Sequence, residues 1–145
     1  MHKGFVAKTS VTIDAPAADV WKALTDPAMV KQYFFGTDVE SDWTPGSPIV
    51  FRGEWQGKRY EDKGVILKAE PERLLQYTHW SNLSGLPDIP ENYHTVTIAL
   101  TAQGPRTVLT LSQDNNATEQ ARDHSQANWE NLLTALKQLL EQSPR

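Results

Sequence analysis

The chain contains no cysteine. Disulfides, zinc–thiolate sites and thiol nucleophiles are therefore excluded, and packing alone must hold the fold. It also lacks a long hydrophobic run, since no stretch approaches the roughly eighteen apolar residues that a membrane span needs. The opening segment MHKGFVAKTSVTI has no apolar signal-peptide core and reads as a strand. The 14 basic residues are scattered and the net charge is −4, so the basic stripe of a nucleic-acid groove is missing. There is no Gly-x-Ser-x-Gly elbow, no evident triad and no glycine-rich phosphate loop. The expectation is a soluble cytoplasmic protein without a nucleic-acid or membrane partner, a cofactor or a metal.

Aromatic side chains, by contrast, are plentiful: five tryptophans, four tyrosines and four phenylalanines in 145 residues. A chain of this length fits one domain, residues 1–145, and folding removes about two thirds of its surface from water. The aromatics imply either a bulky core or a roomy aromatic-lined pocket.

Along the chain, Phe5 to Ile13 alternates as a half-buried strand. Asp14 is a candidate cap, and Pro16 suits the first turn of a helix with Ala17, Val20, Trp21 and Leu24 on one face. Pro27 ends that helix near Asp26 and starts a second, short one presenting Val30, Tyr33 and Phe34. From Gly36 to Gln113 strands and turns follow. Gln56-Gly57, Glu70-Pro71-Glu72-Arg73 and Gly104-Pro105 link successive strands closely enough for an antiparallel meander. Asn116 with Glu119 reads as a capping box opening a final helix to about Gln142. Its buried stripe is Trp129, Leu132, Leu133, Leu136 and Leu140, with Arg122 and Ser125 continuing it at a polar end.

This order of elements predicts an α+β architecture. A curved antiparallel sheet of about six to seven strands wraps a long C-terminal helix, and two short helices follow the first strand. A curved sheet against a straight helix leaves room for a cavity.

Three stretches together carry a family resemblance: IDAPAADVWKALTDP, SGLPDIPENYHTVTIAL and NWENLLTALKQLL. The chain resembles the START-related helix-grip superfamily (SRPBCC, the polyketide-cyclase and Bet v-like group) from about Val6 to Leu140. Within it the chain resembles the C-terminal domain of the activator of the ninety-kilodalton heat-shock ATPase. The resemblance implies a hydrophobic cavity between sheet and helix, but no single activity. Its activator branch implies a heat-shock ATPase as a possible partner. The separate N-terminal domain with which such activators contact the chaperone is not expected within these 145 residues.

Candidate site residues follow from parity and stripe. Phe34, Phe51, Trp55, Tyr77 and Trp129 could face one interior, together with Leu133, as core or as the lining for a flat apolar ligand. His79 and His94 share inward parity and could meet at the cavity's open end, as acid–base groups or as strand-end histidines bonded to backbone or water. Asp62 could join them as a third metal ligand, but it reads equally as part of a solvated strand with a bulge at Gly64. Arg122 and Ser125 could meet an anionic ligand, or Arg122 could bend outward to a surface acid. His124 falls off the stripe and is expected to be exposed. The loop Ser81–Asn92, stiffened by Pro87 and Pro90, is expected to form a shaped rim.

The leading expectation is binding of a small hydrophobic or aromatic molecule. The alternatives are a chaperone-linked interaction module and a cyclase- or hydrolase-type enzyme using His79 or His94. A monomer or weak dimer is expected.

Overall fold

The computed structural model describes residues 4–142, apart from the side chain of Trp55. Seven strands form one antiparallel sheet in the order β1-β7-β6-β5-β4-β3-β2. They are β1 (Phe5–Ile13), β2 (Asp38–Ser41), β3 (Pro48–Trp55), β4 (Lys58–Glu70), β5 (Leu74–Ser81), β6 (His94–Gln103) and β7 (Arg106–Asn116). Every strand from β2 to β6 pairs with its successor, and β1 closes the edge beside β7. Between β1 and β2 lie α1 (Ala17–Thr25) and α2 (Pro27–Tyr33), and α3 (Glu119–Gln142) ends the chain. The expected α+β helix-grip architecture is therefore the observed one. Among the described residues, no helix is long and apolar enough to cross a membrane.

The apolar stripe decides where α3 lies. Leu132, Leu133, Leu136 and Leu140 are buried against inward residues of the sheet such as Ile13, Ile98, Leu109 and Leu111. Burying each of these side chains contributes about 1.5–3 kcal/mol, enough to fix the helix on the concave face. α1 adds Val20, Ala23 and Leu24, and α2 adds Val30 and Tyr33. Asp26 ends α1 and caps α2, its Oδ1 accepting the N–H of Ala28 at 3.0 Å.

Three local expectations are corrected. Asp14 does not cap α1; Pro16 occupies the cap and makes no side-chain bond there, while the backbone N–H of Asp14 donates to Glu141 Oε2 at 2.8 Å. Asn116 does not open a capping box, because β7 extends through it; Thr118 Oγ1 instead accepts the N–H of Ala121 at 3.0 Å. The bulge in β4 is not at Gly64. Register with β5 holds from Lys63↔Trp80 to Ile66↔Tyr77 and shifts only between Ile66 and Lys68. Gly64 serves another purpose: a Cβ there would overlap the carbonyl oxygen of Thr78.

The long loop between β5 and β6 is built as a stiff rim. Asn92 Nδ2 donates to the carbonyl of Pro87 at 2.9 Å, and Trp80 Nε1 donates to that of Leu86 at 3.2 Å. The Tyr93 hydroxyl donates to Asp88 Oδ1 at 2.5 Å, and Lys63 Nζ lies 2.5 Å from Asp88 Oδ2. Asp88 is thereby held below the usual carboxylate range, first by the bond from Lys63 and then by that from Tyr93. Trp80 and Tyr93 stack with centroids 6.4 Å apart.

Candidate functional site

Between the sheet and α3 lies a void of about 30 Å³ with almost wholly apolar walls. This is room for about one or two water molecules, so among the described residues the aromatics mostly fill the interior rather than line a roomy pocket. α2 contributes Val30 and Tyr33, with Phe34 at its C-cap; the sheet contributes Ile49, Phe51, Leu75, Tyr77, Ile98 and Leu111. Trp129, Leu132 and Leu133 close it from α3. Phe34 plugs the space: it stacks on Phe51 at 5.5 Å and meets the edge of Trp129 at 6.3 Å. The next two residues, Phe35 and Gly36, have φ of 56° and 80°. Phe35 is thereby held in a conformation that disfavours side-chain-bearing residues, and it is 68% exposed.

Five of the sequence candidates thus line the same void: Phe34, Phe51, Tyr77, Trp129 and Leu133. The polar tips of the buried tyrosines are kept neutral. Burial, above all, pushes the Tyr77 hydroxyl far up, and the Asp62 carboxylate adds to the shift. Tyr33 is shifted the same way by burial, and its hydroxyl donates to the carbonyl of Ala23 at 2.9 Å.

His79 and His94 are direct partners across β5 and β6, with ring centroids 6.4 Å apart. They continue the aromatic wall, since His79 meets the Phe51 ring at 5.9 Å. Each ring is oriented by a neighbour. His94 Nδ1 lies 2.8 Å from the carbonyl oxygen of Asp114, which requires Nδ1 to carry a proton and donate. His79 Nε2 lies 3.0 Å from Asp62 Oδ2. Phe51↔Asp62 pairing brings Asp62 to the same concave face, so it is not part of a solvated strand; only 17% of its side chain is exposed. Among the described residues, no three His, Asp or Glu side chains converge as a metal centre requires.

The polar end of the α3 stripe is knitted into β7. Trp129 Nε1 donates to Gln113 Oε1, and Ser125 Oγ donates to Asn116 Oδ1 at 3.1 Å. Asn116 Nδ2 donates in turn to the carbonyls of Phe5 and Gln113, at 2.9 and 3.1 Å. Arg122 faces Asp123, with Nη2 and Nε both 3.1 Å from Oδ1, and its guanidinium lies over the Phe5 ring at 5.9 Å. His124 is exposed. Trp55 lies in β3, and its side chain is outside the described set.

Asp62, Gln113 and Asn116 had no functional reading as a polar set. Parity carries a trace of two of them: Asp62 is evenly spaced from Gly64 and Ile66 on the inward face of β4, and Gln113 from Leu109 and Leu111 on that of β7.

Comparison with known proteins agrees with this architecture. Residues 14–141 match the model of the family described as activator of Hsp90 ATPase homolog 1-like protein. A protein from Cytophaga hutchinsonii, solved in solution, is 50% identical, with 97% of each chain covered and a TM-score of 0.84. A crystal structure from Mesorhizobium loti shares the fold at 23% identity and a TM-score of 0.76, covering 97% of this chain and 100% of the other. So does the Aha1 dimer from Colwellia psychrerythraea, at 18% identity and a TM-score of 0.74, with 95% and 97% covered. Search among curated proteins gives no significant match. With the family model spanning most of the chain and a half-identical relative covering nearly all of it, this chain belongs to the activator of Hsp90 ATPase homolog 1-like family, within the START-related helix-grip superfamily.

Proposed function

We propose that the chain binds a small hydrophobic or aromatic molecule between the sheet and α3. The apolar void beneath the Phe34 plug carries this reading. Its walls come from α1, α2, α3 and the sheet together, and walls of this kind favour an apolar ligand over water. A ligand larger than a few atoms enters only if Phe34 and Trp129 move apart. Phe34 is suited to such movement, because it sits at the end of α2 beside the left-handed Phe35-Gly36 pair.

Native mass spectrometry of freshly purified protein tests the proposal against the denatured chain mass. The expected result is an additional mass, lost on unfolding, or its appearance when an apolar aromatic probe is added. Failure of every apolar probe to bind would overturn it.

A second reading, contact with a heat-shock ATPase, follows from the family and from the exposed Leu83, Leu86 and Ile89 on the rim loop. Its test is the turnover of that ATPase with and without the protein. An unchanged rate and no complex would dismiss it.

A further inference from the structure

The Asp62–His79 pair is built more carefully than a strand-end histidine requires. Asp62 Oδ1 is shielded from solvent and has no hydrogen-bond partner among the described residues, although Oδ2 is bonded to His79. A buried carboxylate oxygen left unpaired is unfavourable, and such groups in folded proteins ordinarily find a donor. With the imidazole neutral and its proton on Nε2, His79 bonds Asp62 and exposes Nδ1 as a second acceptor. The pair then carries one negative charge. Among the described residues, no lysine or arginine pairs with Asp62 or His79. Tyr77 on β5 is neutral, and His94 on β6 donates from Nδ1 to a backbone carbonyl. The nearest lysine in sequence, Lys63, is committed to Asp88 on the rim loop. Flanking rings complete the environment, with Phe51 against His79 and Tyr77 within electrostatic reach of Asp62.

Resting on the cavity-binding reading above, we propose that Asp62 and His79 form a head-group subsite selecting apolar aromatic ligands that carry a protonated amine. Two acceptors, a net negative charge and ring faces suit an ammonium and repel a carboxylate. The ligand's rings would lie against Phe51 and Tyr77 and extend toward the void.

Three probes with one ring system separate the possibilities: naphthylmethylamine, naphthalenemethanol and naphthoate, titrated at mildly alkaline pH and followed by NMR. In the unmutated protein the amine should bind at least about tenfold more tightly than naphthoate, with the alcohol between them. Asp62→Asn, which keeps the side-chain shape, should reduce the amine's advantage to about twofold or less while the alcohol still binds. Naphthoate binding as well as the amine, or an amine advantage that survives Asp62→Asn, would overturn the subsite. If all three bind equally with shifts at Leu133, cavity binding stands and the head-group assignment falls. If not even the alcohol binds, the cavity reading fails and the subsite with it. Should the variant not fold, the ranking in the unmutated protein still decides.

Discussion

Trp129 on α3 donates its indole N–H to Gln113 Oε1 on β7, joining the long helix to the sheet beside the apolar void. Gln113 is buried, so its amide oxygen depends on this donor. Trp129→Phe keeps most of the ring and removes the donor. It should cost about 1–3 kcal/mol, read as a lower urea midpoint with unchanged slope. An unchanged midpoint would mean that water replaces the indole there.

Gly64 and Gly57 should respond very differently to alanine. At Gly64 the added Cβ overlaps the Thr78 carbonyl, which belongs to the neighbouring strand and cannot withdraw. Gly64→Ala should therefore cost about 3 kcal/mol or more, or prevent folding. At Gly57 the φ is +79° and the space is open, so Gly57→Ala should cost about 1 kcal/mol. Thermal unfolding of both variants checks the contrast.

Phe34→Ala removes the plug without cutting into the deepest core. It should lower stability by about 1–3 kcal/mol and tighten binding of an apolar probe such as naphthalenemethanol. Isothermal titration and thermal melts on one preparation would measure both. Weaker probe binding in the variant would make Phe34 a contact rather than a plug.

Local stability of the rim should depend on pH at both ends. The folded Asp88 titrates below its ordinary value, so its contribution is present above the unfolded pKa and is lost as pH falls through the folded one. Tyr93 is pushed up to about 12, first by burial and then by its bond to Asp88. A raised pKa here means that the folded state holds the proton more tightly. That contribution is complete below the unfolded value near 10 and is lost as pH rises through about 12. Tyrosine absorbance during alkaline titration should show a late-ionising Tyr93, and Asp88→Asn should bring it earlier. No change in that variant would place the shift in burial alone.

Much of this structure was legible in the sequence, and the reasons are specific. Strands such as Phe5–Ile13 declare themselves by alternation, and α3 by leucines at helical spacing. The short helices follow from Pro16 and Pro27, whose effects are local. Aromatic lining was legible as a set because parity places Phe51 and Tyr77 on one face. Asn116 departs from its sequence pattern because Asn-x-x-Glu fits a cap equally well when β7 continues through it. The true placement depends on the edge pairing with Phe5, over a hundred residues away. The Asp62–His79 bond likewise depends on β4–β5 register, which no local pattern contains. Cavity size depends on side-chain packing, and thirteen aromatics can fill an interior as readily as line it.

Intermolecular NOEs between bound naphthalenemethanol and the protein test the central claim most directly. The account predicts NOEs to Phe51, Tyr77 and Leu133, with Phe34 and Trp129 displaced from their edge-to-face contact. NOEs confined to Leu83, Leu86 and Ile89 on the rim, or none at saturating probe, would contradict it.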